Sequence, residues 1–486
     1  MASRAATALA LLILTGGAGC AVNPVTNRPQ LMLVSQAQEA ELGREADPAI
    51  VAQYGELNDP QLVAYAREVG QRLVSVSHRK DLPFTFRVLD DPVVNAFALP
   101  GGYVYLTRGI LAYLDSEAAL AGVLGHEIGH VTARHGATRL SKQMLVGVGL
   151  GAVGLVVGDR LAGALGVLGN AAATLILLKF SRDDERQADQ LGVEYATLLG
   201  YDTRDMAAFF GALERLSAET GSRLPSWAST HPDPGERRER ILELTAAQPQ
   251  QQQRTDRAGY LARIDGLVFG ADPRQGYVEG GRFLHPELRL QFPIPAGWQV
   301  ENSRAQVVLS PPEGEQAVVF TLAREASPAA AAEAFAAGEG IRVLERADVS
   351  VNGLSGVRLV SEAQGEGGAL HVLSTFVALG GRVYVFHGLT APARLAAARE
   401  ALLAPVEGFG PLTDPQALAV QPVRLRVVKA PAAGPFQQVV AGWPVPARAG
   451  IQGPEGLAVL NGVALDTPIE AGQLLKVLVA EGAQPR

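Results

Sequence analysis

The sequence predicts a mainly α domain with a small β-sheet in its first half, followed by an α+β region. Apolar residues recur at helical spacing through most of residues 35–247. Alternating, strand-like residues are confined there to 84–89 and 95–107. Beyond a Gln- and Pro-rich linker at 248–258, alternating runs dominate. A chain of 486 residues is long enough for two or three domains of this kind.

Composition describes a globular protein without a charged surface for nucleic acid. Hydrophobic residues make up 48% of the chain and charged residues 19%, and the net charge is −7. The charge is spread along the chain, with no basic run and no aromatic-basic stripe. We therefore exclude nucleic acid as a partner.

The amino terminus has the three parts of a secretory signal. A basic start containing Arg4 precedes the apolar run AATALALLIL, and small residues then lead to Cys20, the only cysteine. We predict a signal peptide over 1–19, cleavage before Cys20, lipidation of that cysteine and a lipid-anchored tether over 20–34. Gly17 departs from the Leu usual in lipoprotein signals, so an ordinary signal with an incidental cysteine is the alternative. Ala21, where an Asp would favour the inner membrane, favours the outer membrane.

Next come helices and short strands, which lead up to the most informative motif. Helices are predicted from Ser35 and from Asp59-Pro60, and a strand over 84–89. Residues 95–107 predict a strand or loop, a Pro-Gly-Gly turn and a second strand. Asp115 or Ser116 can cap the helix that follows.

That helix carries a His-Glu-x-x-His motif. His126 and His130 are four residues apart, so they project from one face, one turn above the other. Two neutral imidazoles so placed can hold one Zn²⁺, and Glu127 can reach a water that the metal activates. The motif is short, and a solvated helix face is the alternative. By helical periodicity His135 faces away from the metal, and we interpret it as structural.

Residues 144–178 are apolar and rich in Gly and Ala. Asp159 and Arg160 interrupt the segment, and neither half is a clean run of about 20 strongly apolar residues. A packed helix pair or a lid is the favoured interpretation, and membrane contact is the alternative.

After this segment, Ser181 opens a helix with a box-like capping pattern, and this helix contains Glu185 and Asp189. A further helix covers about 203–220. Trp227 to Pro232 predicts an extended piece that includes His231, and a last helix covers about 234–246.

Several motifs together resemble the M48 zinc metallopeptidases, in their bacterial periplasmic, lipoprotein-type branch. The resemblance covers roughly residues 20–245, and its motifs are NPVT from Asn23, NAFALPGG from Asn95, HEIGH from His126 with ARHG after it, SRxxExxAD from Ser181, and STHP before Arg237. The resemblance implies a zincin-like metallopeptidase domain over 35–247.

The resemblance also implies roles for individual residues. Glu185 becomes the third zinc ligand, one zinc is bound per chain, and Glu127 is the general base. His231 would lie near the metal, where it stabilises the oxyanion or holds the site inactive, and an idle loop histidine is the alternative. Asp189 would orient a ligating imidazole, with a plain salt bridge as the alternative. Arg237 would fix the His231 loop by pairing with a carboxylate.

Substrate contact is expected on a strand near the Pro-Gly-Gly turn. The segment from Gly101 and Gly102 to Tyr103 and Tyr105 would bind an added substrate strand through backbone hydrogen bonds that ignore sequence. Such binding suits misfolded or unassembled envelope proteins. We therefore expect a zinc endopeptidase of envelope quality control in the periplasm. Its lipid anchor is expected in the outer membrane because of Ala21.

The second half predicts an α+β accessory domain over 259–421 on an antiparallel sheet, then a small β-rich segment over 422–486. No tetratricopeptide repeat follows the peptidase-like region, which departs from the best-known family members. The pattern Leu460-Asn-Gly to Lys476 resembles the end of a LysM-like module, which would imply peptidoglycan contact. Two other functions stay open: a membrane-embedded protease of the same type that uses 144–178, and a latched chaperone or scaffold with a regulated zinc site.

Overall fold

The structure is a computed structural model that describes residues 20–149, 180–219, 231, 234–247, 253–312, 316–365 and 368–480. The first region contains mainly helices. They are α1 Gln36–Tyr54, α2 Pro60–Ser75, α3 Arg108–Tyr113, α4 Glu117–Thr132, α5 His135–Gly149, α6 Arg182–Leu198, α7 Arg204–Glu219, α8 Pro234–Ala246 and α9 Arg257–Ile264.

A three-stranded sheet packs beside these helices. Its strands are β3 Thr85–Leu89, β4 Ala96–Leu99 and β5 Tyr103–Thr107, in the order β3-β5-β4. β5 is parallel to β3 and antiparallel to β4, so β5 is central and β4 lies at an edge. The predicted small sheet in a mainly α domain is thus present.

The segment predicted as a tether is an ordered hairpin. β1 Cys20–Val22 pairs antiparallel with β2 Pro29–Leu31. The buried Asn23 accepts hydrogen bonds from two amides of its own turn and donates one to the Ala133 carbonyl, 3.3 Å away, just past the end of α4. The Leu33 amide donates to the Ser141 hydroxyl of α5 at 2.9 Å. Through these contacts residues 20–34 dock against the end of α4 and against α5.

The accessory region contains an antiparallel sheet, as predicted. Seven described strands form one sheet in the order β10-β11-β12-β16-β15-β14-β13, and four form a second sheet in the order β17-β9-β8-β7, with the bounds given next. Their bounds are β7 Tyr277–Glu279, β8 Arg282–His285, β9 Leu290–Pro293, β10 Gln299–Asn302, β11 Val307–Ser310, β12 Gln316–Leu322, β13 Ile341–Val351, β14 Leu354–Gly365, β15 Gly368–Leu379, β16 Arg382–Thr390 and β17 Gly410–Pro411; the helices are α10 Pro328–Ala336, α11 Leu395–Glu407 and α12 Pro415–Leu418.

The last segment packs back on the first region. Its elements are β18 Val423–Lys429, β19 Gly434–Pro435, α13 Phe436–Val439, α14 Gly453–Leu460, β20 Pro468–Ile469 and β21 Leu474–Ala480. β18 pairs with β21 and also with β6, Val268–Phe269, so the predicted boundary at 422 separates strands of one sheet. Helix α9 and these strands share a single hydrophobic core with α2, α4 and α7. The LysM-like interpretation stays a prediction.

A buried lysine links this last segment to the chain between α3 and α4. The Lys476 ammonium is fully buried and donates to the carbonyls of Ala112 and Leu114, at 3.0 and 2.9 Å. Asp115 lies 3.5 Å away. Burial lowers the pKa of Lys476 to about 8. The carbonyls at the end of α3 thereby receive a cation, which is favourable at a helix C-terminus.

Residues 150–179, most of the apolar segment 144–178, lie outside the described residues. Among the described helices, none combines the length and the hydropathy that a membrane-spanning helix requires. The alternatives for this segment therefore stay predictions.

Candidate metal centre

Helix α4 is buried along its whole length. The Ser116 hydroxyl accepts a hydrogen bond from the Ala119 amide and caps the helix, so of the two predicted caps, Asp115 and Ser116, the second is the one formed. Glu117 lies in the first turn, where a carboxylate is favourable. His126 and His130 lie in the last turns, each at most 2% exposed. Their ring Nε2 atoms are 3.0 Å apart, so the spacing of the motif brings both imidazoles to one point.

Helix α6 supplies Glu185. Ser181 and Asp184 form the predicted capping box at its start. Glycines allow α6 to pack very close to α4, since a Cβ at Gly192 would lie 3.0 Å from the His126 amide nitrogen, and one at Gly125 would lie 3.1 Å from the Cα of Gly192. Because the backbones of α4 and α6 approach so closely, the Glu185 side chain reaches both His126 and His130.

The four groups that converge here fit a zinc ion. His126, His130, Glu185 and His231 each offer one ligand atom, and these atoms all lie within 4.8 Å of one another. The carboxylate oxygens of Glu185 lie 3.5 Å from Nε2 of His126 and 3.5 Å from Nε2 of His130. Tetrahedral Zn²⁺ with bonds of about 2.0–2.1 Å separates its ligand atoms by about 3.3 Å. Three nitrogens and one carboxylate oxygen are also donors that zinc favours.

His231 lies inside this cluster and is 1% exposed. Its Nδ1 is 3.3 Å from Nε2 of His126 and 3.0 Å from a Glu185 oxygen, while its Nε2 is 3.6 Å from a Glu127 oxygen. Residues 220–230 and 232–233 on either side lie outside the described part of the chain. His231 thus lies among the candidate ligands, and its Nδ1 is positioned as a fourth donor.

A buried ion network holds the ligands from behind. Asp189 lies 3.0 Å from Nδ1 of His126, so it can orient that ring. Arg237 donates from Nε to Asp189 at 2.9 Å and lies 3.1 Å from a Glu185 oxygen. Its guanidinium also stacks on the Phe210 ring, 4.4 Å from the centroid. The structure thus places both predicted supporting residues directly behind the ligand set.

Charge and burial set the protonation of this network. Burial, reinforced by the Arg237 charge, lowers the pKa of His126 to about 3, so its imidazole is neutral near pH 7. Burial alone would raise the pKa of Asp189, but Arg237 outweighs it and lowers this pKa to about 2. The pKa of Glu185 likewise lies well below its usual value, against burial, because of His231 and Arg237. Neutral imidazole and ionised carboxylate are the forms that bind a metal.

Glu127 is fully buried beside the cluster. It follows His126 on α4, and its carboxylate lies close enough to His231 for a long electrostatic contact of 3.6 Å. It is not a member of the four-donor group. This is the position expected of a carboxylate that acts on a water at the metal rather than on the metal itself.

The expectation that His135 faces away is wrong. α4 ends at Thr132, and Arg134 adopts a left-handed backbone with φ 61° before α5 begins at His135. The helical periodicity of α4 therefore does not extend to His135, and Nδ1 of His135 lies 2.9 Å from Nδ1 of His130. His135 thus supports a ligand ring from behind.

The expected substrate strand is also corrected. Gly101 and Gly102 form a tight turn with φ values of 89° and 95°, and Tyr103 begins the central strand β5. Tyr103 pairs with both Thr85 and Leu99, so β5 cannot accept another strand. In the described residues, the edge of this sheet nearest the metal centre belongs to β4.

Sequence reasoning missed Phe180. Its ring stacks on His130 with 4.0 Å between the centroids and an angle of 27°, and its centroid is 5.8 Å from that of His231. Phe180 directly precedes the Ser181 cap, a hydrophobic position before a helix that the motif could have indicated. For Cys20, the structure describes the backbone of β1 alone.

Comparison with known proteins agrees with this geometry. Residues 60–245 match the model of Peptidase family M48. This segment is an M48 peptidase domain. The match confirms the resemblance over the residues that hold the whole metal centre, and members of this family use zinc.

Two curated relatives share the M48 region. The beta-barrel assembly-enhancing protease of Escherichia coli is 36% identical over 189 residues, covering 37% of this chain and 38% of the relative. The mitochondrial metalloendopeptidase OMA1 of Schizosaccharomyces pombe is 32% identical over 225 residues, covering 45% of this chain and 65% of the relative. The chain thus spans less than two thirds of either relative, and the similarity concerns the peptidase domain.

Proposed function

We propose that this protein is a zinc-dependent endopeptidase of the bacterial cell envelope. The observation that carries the proposal is the buried cluster of His126, His130 and Glu185, with Glu127 beside it, inside an M48 domain. Bound there, Zn²⁺ would supply Lewis-acid chemistry that makes water a nucleophile at neutral pH.

The chain's own residues would carry the protons and charges. Glu127 accepts a proton from the attacking water and passes it to the leaving amine. His231 faces the same space and donates a hydrogen bond to the oxygen that becomes negative in the tetrahedral intermediate. Asp189 and Arg237 hold His126 and Glu185 in place, which limits reorganisation during the reaction.

A substrate would bind to the outer edge of β4. Backbone pairing with Ala96–Leu99 fixes an extended chain without reading its side chains. Extended, exposed segments are abundant in proteins that have failed to fold or assemble. This mode of binding therefore supports misfolded or unassembled envelope proteins as the substrate class.

Location and process rest on the export signal and on a relative. The predicted signal peptide over 1–19 and lipidation of Cys20 would place the protein in the periplasm, attached to the outer membrane. The Escherichia coli relative is named for beta-barrel assembly. We propose envelope quality control as the process, with the lipid as the membrane contact and peptidoglycan as a further partner of residues 422–486.

The test measures zinc content and casein cleavage on residues 21–486, with Glu127→Gln alongside. One zinc per chain, with cleavage that the variant loses, supports the peptidase. An active Glu127→Gln protein would refute the assigned base. A wild-type chain that binds no zinc would refute the metal centre.

The position of His231 favours a second candidate, a latched site that opens on demand. A catalytic zinc keeps one position open, whereas four protein ligands close it. With His231 as the fourth donor, the protein would act as a chaperone or scaffold until His231 leaves the fourth position. Zinc-loaded wild type without activity, together with active His231→Ala, would support the latch. Activity in the wild type that falls in His231→Ala would support oxyanion stabilisation instead.

A further inference from the structure

A pocket opens beside the metal centre, between the end of β4 and the end of α4. Its cavity volume is about 10 Å³, room for about one water molecule, and it opens to solvent. Ala98, Leu99 and Pro100 form one wall, His130 and Ala137 another, and Phe180 a third. The pocket thus connects the edge of the sheet with a metal ligand.

The Phe180 ring sets the width of this pocket. It covers the face of His130 at 4.0 Å between the centroids and is only partly buried. Phenylalanine has no atom that could bind a metal, so the Phe180 ring acts here only by the space that it fills beside His130. A side chain that enters the pocket would touch this ring, Leu99 and Pro100.

Charge on the pocket wall is already compensated among the described residues. Arg134 donates from Nε to Glu39 at 2.6 Å and from Nη2 to the Val34 carbonyl at 3.0 Å. Arg79 contacts the other oxygen of Glu39 at 3.4 Å. A charged side chain entering here would be desolvated without a new partner, which is unfavourable. The pocket therefore selects an apolar side chain.

The direction of β4 indicates which substrate residue would enter. Antiparallel pairing is slightly more stable per residue than parallel pairing. A substrate strand antiparallel to Ala96–Leu99 runs from the Leu99 end toward the Ala96 end. The pocket lies at the Leu99 end, which is the amino-terminal side of such a substrate.

We infer that this is the specificity pocket for the residue on the amino-terminal side of the scissile bond, that it takes a side chain as small as that of Ala, and that Phe180 sets the size limit. This inference rests on the proposed peptidase function and adds a side-chain preference to it. Removing the ring would enlarge the pocket, and each added methylene that is accommodated is worth about tenfold or more in kcat/KM.

The experiment compares zinc-loaded full-length wild type, Phe180→Ala and Phe180→Leu on matched peptides. One peptide pair carries Ala or Leu directly before the cleaved bond, and a second pair carries them directly after it. The control is Phe335→Ala in α10, another partly buried ring against a histidine, with its centroid 4.9 Å from that of His387 and outside the pocket. Zinc content is measured for every protein.

In Phe180→Ala we expect the Leu-to-Ala ratio of kcat/KM to rise at least about tenfold for the first pair and to stay constant for the second. Phe180→Leu should shift the first ratio in the same direction but less, and Phe335→Ala should shift neither. An unchanged first ratio, a shift in the second pair instead, or loss of zinc in both Phe180 variants would overturn the inference. Loss of zinc would make Phe180 a support of His130. Zinc-loaded wild type that cleaves no peptide would overturn the proposed function itself.

Discussion

Arg237→Met should destabilise the metal centre even in the absence of metal. The change removes the cation that Asp189 and Glu185 share and keeps an apolar chain near Phe210. Asp189 is fully buried, and Arg237 holds its pKa at about 2 against a usual 3.8. That difference corresponds to about 2 kcal/mol of stability, present above pH 3.8 and lost as the pH falls toward 2.

The total loss of stability in Arg237→Met should exceed this figure, because the buried Asp189 carboxylate would then lack the guanidinium that compensates its charge. Removing one partner of a buried ion pair costs about 3–5 kcal/mol. Zinc affinity should also fall about 10–100-fold, as for other residues that orient ligands. Hydrogen exchange of the α4 amides in metal-free protein measures the first effect, and competition with a chelator measures the second.

The matched control is Arg186→Met. Arg186 is 44% exposed at the side chain and pairs with Asp183 and Glu236 on the surface of the same region, so its loss should cost less than about 1 kcal/mol. Equal exchange rates in the two variants would refute the argument from burial. The double variant Asp189→Asn with Arg237→Met should recover part of the stability, since it leaves one less buried charge.

Three further predictions concern packing, docking and pH. Gly192→Val should separate α6 from α4, move Glu185 away and lower zinc affinity at least about tenfold by chelator competition, because even a Cβ meets the His126 backbone at 3.0 Å. Asn23→Ala should lower the free energy of unfolding by about 1–2 kcal/mol, measured in urea. The Ala133 carbonyl would lose its side-chain donor, and the Val25 amide would lose its side-chain acceptor. Lys476 has a depressed pKa of about 8, so the unfolded chain binds more protons than the folded one between pH 8 and 10.5. The contribution of this group to the free energy of unfolding therefore rises by about 2 kcal/mol from pH 7.5 to 9.5. Lys476→Met should lose this rise.

Matched variants separate these effects from general damage. Gly211→Val lies on α7 against a flexible Arg238 side chain at 3.4 Å and should keep zinc affinity. Thr26→Ala changes an exposed position of the same N-terminal turn and should leave stability within about 0.5 kcal/mol. Wild-type levels in Gly192→Val or Asn23→Ala would contradict the packing and docking arguments, and a persisting rise in Lys476→Met would assign it to other groups.

The sequence was most informative where a function depends on local spacing. His126 and His130 meet because a helix turns once in about four residues, and Ser116 and Ser181 cap because capping is a contact within one turn. Glu185 could be assigned only through the family resemblance, since the packing of two helices on glycines is not visible in periodicity.

The corrected predictions share a different physical cause. His135 was misplaced because one left-handed residue, Arg134, ends the helix and restarts it at a new angle. Tyr103 was misplaced because the order of strands in a sheet depends on contacts distant in sequence, here with Thr85 and Leu99. The pairing of β6 with β18 joins residues more than 150 positions apart and likewise leaves no local pattern.

With a lipid on Cys20, the N-terminal hairpin would limit how far the M48 domain can reach. β1 begins at Cys20, and Asn23 is fixed to the end of the catalytic helix only three residues later. Extended residues span about 3.4 Å each, so a lipid on Cys20 would hold this end of the helix within about 10 Å of the bilayer surface. An enzyme held by so short an anchoring segment would reach only substrates in a thin layer above its own membrane. Its substrates would then be selected by how close they pass to that surface, before any side chain is recognised.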